Sequence, residues 1–272
     1  MTVPFTVLMS YYDGDDAGQL AEAFDSVTAG QELPPDEVVL VRDGPVGEVL
    51  AARVERMIDA SSVPVRHVVL ERNGGLSAAL TAGLAEASHD VVARMDADDV
   101  STPDRFARQI PLIADGYDIV GSALVEFGDG VAEQVRPVPV GQEQIVRQAR
   151  SRSPFQHPSV VYRASAVREA GGYEELPLME DYWLWARMLH GGARAENLPE
   201  PLLRYRVDDG AYSRRGGLRL LRSELVLQGR MRRLGFVSTG QWLRNVAIRA
   251  PYRLVPESVR RLAYRAVFVR KG

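Results

Sequence analysis

The chain has 272 residues, 46% hydrophobic and 25% charged, with a formal net charge of −3 and no cysteine. That size and balance fit a soluble protein with a sizeable core in one large domain or two modest ones. They exclude a disulfide framework, a thiolate zinc site and a cysteine nucleophile, and the near-neutral total argues against a nucleic-acid partner. No apolar run approaches the roughly 18 residues of a spanning helix. Met1 to Ser10 lacks a basic, cleavable leader pattern, so the expectation is a cytoplasmic protein. The net charge conceals an asymmetry. From Leu203 onward there are 17 basic and 4 acidic residues, a net of +13, against −16 for the first 202. An acidic part suited to cations is thus joined to a basic part suited to an anionic surface.

In chain order, Val3–Met9 reads as a strand, and 17–29 as a helix with Leu20, Ala21, Phe24 and Val27 on one face. Strands follow at 37–41, 65–70 and 91–95, and helices at 47–60, 76–87 and from Thr102-Pro103. Such alternation predicts βαβ units and a doubly wound, mostly parallel sheet. Ligands in such sheets sit outside the carboxyl ends of the strands, which selects Ser10–Asp13, Arg42–Gly44 and Asp96–Asp99. Beyond the strand 119–125 the alternation lapses. A hairpin or extended excursion is expected over 128–139, a helix over 142–150 and a polar loop over 151–158. A strand at 160–162 and helices at 165–170 and 180–190 follow. From Gly217 the pattern is helical and rich in Arg.

Asp96-Ala97-Asp98-Asp99 places carboxylates at a strand end, where Asp96 and Asp98 point the same way along an extended chain. Close carboxylates and hard oxygen donors suit Mg²⁺ or Mn²⁺ bridging to phosphates; a solvated turn capping the next helix reads equally well. At the other strand ends, Ser10-Tyr11-Tyr12-Asp13 offers a hydroxyl, two aromatic faces either of which can stack on a nucleobase, and a carboxylate, and Asp43 an acceptor for a base edge or ribose, although Asp43-Gly44 is also a plain turn signal. Arg72-Asn73-Gly74-Gly75 leads into a helix N-terminus, a place that attracts phosphate, or is simply a strand-to-helix loop. There is no Gly-rich dinucleotide or P-loop pattern. Asp181 shares a helical face with Leu184, Trp185 and Met188, so its carboxylate points into the fold or a cleft. There it can act as a general base or be an ordinary first-turn acid. His157, in a polar loop, is structural or an acceptor contact.

The ordered set Val7–Tyr12, Leu33–Val41, Asn73–Leu80, Ala93–Asp99, His157–Val160, Gly171–Tyr173 and Glu180–Trp185 resembles glycosyltransferase family 2, the inverting nucleotide-sugar transferases of GT-A fold. Within it the chain is similar to bacterial amylovoran-type polysaccharide enzymes. The resemblance covers residues 3 to about 217, implying a catalytic domain over 1–217 and a basic helical extension over 218–272. It implies metal binding by Asp98 with Asp99, nucleotide contacts from Ser10, Tyr12, Asp43, Arg72, Asn73 and Asp96, and Asp181 as the base that deprotonates an acceptor hydroxyl. His157 and Glu180, and Arg214 and Arg215, become candidate acceptor or diphosphate contacts. The implied donor is a nucleoside diphosphate sugar, a UDP-sugar by preference, with Mn²⁺ or Mg²⁺. The implied acceptor is a saccharide or a lipid-linked one.

Two departures stand out: Arg42 replaces the first acid of the usual Val-Asp-Asp-Gly-Ser run, and Arg206-Val207-Asp208 stands where many relatives carry Arg-x-His. The rival readings are a sugar-phosphate nucleotidyltransferase, whose Gly-rich, Lys-bearing loop is missing at 10–18, and a non-catalytic glycan-binding module. The basic tail, with Trp242, Tyr252 and Tyr264 among its arginines and an amphipathic stretch from Glu257, predicts peripheral attachment to an anionic membrane or packing on the catalytic domain or a second subunit of a homodimer.

Overall fold

The computed structural model describes residues 3–128, 130–207 and 217–254. Among these, nine strands form one sheet in the order β3-β2-β1-β4-β8-β6-β9-β5, with β7 paired to β6. Its first half is the expected one: β1 (Phe5–Tyr11), α1 (Ala17–Val27), β2 (Glu37–Asp43), α2 (Glu48–Ala60), β3 (Val65–Leu70), α3 (Leu76–Glu86) and β4 (Val91–Met95). The four strands are parallel, with Val7 level with Val38 on one side and Ala93 on the other. Period-two alternation divides β1 between two cores. Phe5, Val7, Met9 and Tyr11 join Leu20, Phe24 and Phe106, whereas Leu8 joins Leu80 and Trp185. Burial on both faces is why this strand is continuously apolar.

Beyond β4 the sheet becomes mixed. After β5 (Val100–Ser101), α4 (Arg105–Ala114) and β6 (Ile119–Gly128), the excursion is a hairpin, with β7 (Val131–Arg136) antiparallel to β6. Then come α5 (Gln142–Ala149), a 3₁₀ turn over His157–Ser159, β8 (Val161–Arg163), α6 (Ala164–Glu169), α7 (Glu180–His190) and β9 (Ala195–Arg206). Strand β8 runs antiparallel to both β4 and β6, and β9 runs parallel to β6. The twelve-residue β9 has no counterpart in the sequence reading. Pro199 and Pro201 cannot donate to a ladder, and the register with β6 shifts around Ser122–Leu124, opposite them.

The chain closes with α8 (Leu218–Leu234) and α9 (Thr239–Leu254), separated by Gly235, whose left-handed φ of +81° ends α8. Leu220, Leu227, Met231, Phe236 and Val237 belong to the same apolar cluster as Leu8, Trp183 and Trp185. The described part of the extension thus shares its core with the sheet.

Helix α3 approaches the sheet through Gly83. A Cβ there would lie 2.8 Å from Val41 Cγ2 and collide with Leu8 Cδ1. Overpacking costs about 1–3 kcal/mol, against about 1 kcal/mol gained in helix propensity. Gly83→Ala should therefore lower stability by up to about 2 kcal/mol, read as a lower urea midpoint at unchanged m-value.

Candidate active site

The three selected strand ends converge. Ser10 at the end of β1 and Tyr12 just after it, Asp43 at the end of β2, Asn73, and Asp96 and Asp98 after β4 line one cleft of about 320 Å³. Its wall is set by backbone geometry. Both Asp43 carboxylate oxygens accept from the α3 entry loop, from the N–H groups of Gly74 at 2.7 Å and Gly75 at 2.9 Å, while Asn73 Nδ2 donates to the Asp43 carbonyl at 3.2 Å. Gly44, at φ +88°, passes so close that a Cβ would lie 2.6 Å from the Asn73 nitrogen. The Asp-Gly pair is therefore a turn and a brace at once. The Tyr12 ring, 48% exposed, lies against Gly14, where a Cβ would come within 2.6 Å of it.

A second cleft of about 430 Å³ contains Asp96, His157 and Asp181 together with Phe155, Tyr182, Arg136 and Arg249. Asp96 lines both clefts. The predicted inward face of α7 holds: Leu184, Trp185 and Met188 are buried, and Asp181 opens into the second cleft. Burial, then the neighbouring Glu180, pushes the Asp181 carboxyl up to about 7, with Arg94 pulling the other way. His157 contacts Tyr173 Oη through Nε2 at 3.0 Å and meets Trp185 edge-on. Burial, then the charge of Arg94, holds it well below the ordinary histidine range, so it is a neutral wall residue.

The acidic turn rests on arginines. Arg94, 1% exposed on β4, forms an ion pair through Nη2 with Asp96 Oδ1. Arg206 of β9 donates its backbone N–H to Asp99 Oδ1 at 2.9 Å, its Nε to the Asp98 carbonyl at 2.8 Å and its Nη2 to Glu22 at 2.6 Å. Asp99 is fully buried and held by β9; it does not join Asp96 and Asp98 among the residues lining the first cleft. Asp98 does, and burial, then Asp96, raises its carboxyl to about 6.

A divalent cation fits this donor set. Asp98 carries negative charge crowded by Asp96, and among the described residues no group of three or more acids or histidines could hold a metal by itself. The two neighbouring carboxylates are hard oxygen donors of the kind Mg²⁺ or Mn²⁺ takes, and they do not make a complete site by themselves.

Other expected residues are not brought to the clefts. Arg72 is exposed and outside the first, and Glu180 is buried beside the second without lining it. Arg214 and Arg215 lie outside the described residues. The sequence reading missed Asp15, which lines the first cleft, accepts the Tyr12 N–H and is raised to about 6, first by burial. It also missed Arg94, signalled only by a lone cation inside an apolar strand, and Arg136 and Arg249, which carried no local signal.

The profile of Glycosyl transferase family 2 matches residues 6–171. The chain belongs to this family. It is 36% identical over 96% of its length to the amylovoran biosynthesis glycosyltransferase AmsE of Erwinia amylovora, covering 97% of that protein. It is 32% identical over 99% of its length to an Escherichia coli UDP-Gal:α-D-GlcNAc-diphosphoundecaprenol β-1,3-galactosyltransferase, covering 98% of it. Among solved structures, S. aureus TarS with UDP-GlcNAc superposes over 98% of this chain and 76% of its own at a TM-score of 0.70 and 17% identity. A Pyrobaculum calidifontis mannosyltransferase with GDP-Man and Mn²⁺ covers 97% of this chain and 75% of its own at a TM-score of 0.69 and 19% identity. The fold is GT-A, as the family resemblance implied, and this family 2 chain is a glycosyltransferase. The nucleotidyltransferase and binding-module readings are thereby set aside.

Because Asp43 accepts two backbone N–H bonds, Asp43→Asn must turn an amide NH₂ toward one of them. A buried donor left unsatisfied costs about 1–3 kcal/mol. A melting temperature lowered accordingly is the expected outcome in thermal-shift measurements.

Proposed function

We propose that the enzyme transfers a sugar, with inversion, from a UDP-sugar to a hydroxyl of a saccharide carried on a lipid diphosphate, in cell-surface polysaccharide assembly. The observation that carries this is the pair of clefts meeting at Asp96, with Asp181 opening only into the second. That division fits a donor on one side and an acceptor on the other. The E. coli relative, named for a UDP-sugar and a diphosphoundecaprenol acceptor, supports the choice of both substrates.

In this reading Tyr12 stacks on the base, Asp43 and Asn73 face the nucleoside, and Ser10 and Asp96 contact ribose and diphosphate. Asp98, with Asp96 beside it, would hold Mn²⁺ or Mg²⁺, whose bound charge would offset that of the diphosphate. Asp181 accepts the proton of the acceptor hydroxyl. As that oxygen forms its bond to the anomeric carbon, the carbon–oxygen bond to the diphosphate breaks and its electron pair leaves with the nucleoside diphosphate. One displacement at one face inverts the centre. A carboxylate raised toward neutrality by burial is a stronger base than an exposed one, yet remains substantially ionised at physiological pH.

We also assign α8 and α9 to an anionic membrane surface. No described helix is long and apolar enough to cross a membrane, but this hairpin exposes Leu218, Leu225, Val226, Leu243 and Ile248 beside Arg219, Arg222, Arg233 and Arg244. Glu224, its only acid between 217 and 254, is buried. Apolar side chains among cations suit an interface rich in anionic lipid. The amphipathic stretch expected from Glu257 lies outside the described residues.

Asp181→Asn should lower kcat by about 10²–10⁴-fold while leaving UDP affinity intact; full activity would overturn the base assignment. Since the active form is the anion, kcat/KM of the unmodified enzyme should fall as pH drops below about 7, losing about tenfold per unit well below it. In flotation assays the protein should rise with phosphatidylglycerol vesicles and not with phosphatidylcholine ones. Leu243→Glu/Ile248→Glu should abolish this, and binding indifferent to both lipid charge and these changes would overturn the membrane assignment.

A further inference from the structure

The second cleft is not closed by the family-matched residues 6–171 alone. Part of its wall is Arg249, from α9. The guanidinium is held firmly: Nε and Nη2 donate to the two carboxylate oxygens of Glu224 at 2.6 and 2.9 Å, and Nη1 donates to the Ser151 carbonyl at 2.6 Å. Around it, Asn245 Nδ2 donates to the Arg150 carbonyl at 2.7 Å and to Gln228 Oε1 at 3.0 Å. Gln228 Nε2 in turn donates to Glu224 at 3.1 Å. Glu224 and Gln228 are fully buried and Asn245 is 2% exposed.

A buried ion pair is a poor way merely to fasten two helices to a domain, because apolar residues of similar volume hold as well or better. What this pair achieves is a fixed direction for a guanidinium at the wall of the cleft. Arginine carries five N–H donors in a planar fork. Three are engaged by Glu224 and Ser151, leaving two on a group whose torsions are already immobilised. Such a fork matches the oxygens of a phosphate and is not reproduced by a lysine. The cleft thus has Asp181 and Asp96 among its acids, where a hydroxyl must be activated, and Arg249 as an oriented cation in the same volume.

We propose that Arg249 is the acceptor-side phosphate contact, so that the helical extension completes the acceptor site and selects an acceptor bearing a phosphate ester next to the sugar that receives the transfer. This rests on the glycosyltransferase reading above and adds the residue, and the part of the chain, by which the second cleft recognises the acceptor's phosphate. The phosphate could belong to a lipid diphosphate or to a free sugar phosphate, and the two are separable by probe.

The test is calorimetric titration of the full chain with three probes: decyl GlcNAc α-diphosphate, GlcNAc 1-phosphate, and decyl GlcNAc, which has no phosphate. Each is run with and without saturating UDP and Mn²⁺, so that diphosphate binding in the donor cleft is blocked in one arm. A wrong donor assignment, seen as no UDP binding, then leaves the acceptor result standing. Wild type should bind the decyl diphosphate at least tenfold more tightly than decyl GlcNAc in the presence of UDP. Binding of GlcNAc 1-phosphate matching that of the decyl diphosphate would identify a free sugar phosphate as sufficient; weaker binding would identify the lipid-linked form. Arg249→Lys should lose most of the discrimination. Because removing Arg249 alone strands a buried carboxylate, the decisive variant is Glu224→Gln/Arg249→Gln, in which the pair is neutralised together. It should bind the phosphate and phosphate-free probes alike, with UDP affinity and circular dichroism unchanged. Equal binding of the two decyl probes to wild type, or discrimination that survives in the folded double variant, overturns the proposal.

Discussion

The site depends on a buried cation beneath an acidic turn. Asp96, Asp98 and Asp99 cannot share four residues at a strand end without compensation, and the fold supplies it from below. Arg94 pairs with Asp96 from inside β4, Arg206 fastens Asp98 and Asp99 from β9, and Arg105, fully buried, donates to the Arg94 carbonyl at 2.8 Å. Desolvation alone would depress a buried guanidinium. For Arg94 the charge of Asp96 outweighs it and the pKa rises, whereas Arg105, which burial acts on first and Arg94 second, falls to about 9. Breaking such a pair by removing one partner leaves an uncompensated buried charge, which is far costlier than exchanging the pair for apolar residues. The turn's counter-charges are therefore internal to the fold, which fixes where its carboxylates sit at the cleft.

The same cation reaches the second cleft. Asp96 is the common wall, and the charge of Arg94 is felt at His157, Tyr173 and Asp181. Among these, Asp181 and Asp98 are both raised, and for different reasons beyond burial: Asp181 by Glu180, Asp98 by Asp96. A bound cation would relieve Asp98 and lower it again, whereas at Asp181 the backbone N–H of Tyr182 and the charge of Arg94 only partly offset burial and Glu180. Two carboxylates with similar free-state values are thus poised for different work by what each faces, the pattern expected where one group holds charge and another moves a proton.

What was legible in the sequence follows from range. The parallel half was readable because its signals are local: alternating apolar runs, helical faces such as Leu20–Phe24–Val27, and turn residues at Asp43-Gly44. Strand β9 was not, because Pro199 and Pro201 disguise a strand whose partner, β6, lies more than seventy residues earlier in sequence. At the site, Ser10, Tyr12, Asp43, Asn73, Asp96 and Asp98 were found because strand ends in such sheets converge. Asp181 was found through its helical face, and the family resemblance joined the two sets. Asp99 shows the limit of spacing: adjacent to a cleft residue, it turns instead to the β9 backbone. Arg249 shows the complementary limit, since its role depends on Glu224 and Ser151, which no pattern along the chain connects to it.

The opposed charges of the two parts of the chain have a structural meaning that counting cannot give. Acids in the first part are paired inside the fold: Arg94, which belongs to that part, pairs with Asp96, and Arg206, from the basic part, binds Asp99 and Glu22. The basic hairpin, conversely, turns Arg249 inward against Glu224, lays Arg230 against Trp183 and Glu174, and leaves Arg219, Arg222, Arg232, Arg233 and Arg244 exposed. An inward Arg249 at the second cleft and an outward face of arginines and aliphatic side chains lie on the same pair of helices, fixed by the core residues Leu220, Leu227 and Met231. The aliphatic and basic outer face and part of the wall of the second cleft are then carried by one pair of helices.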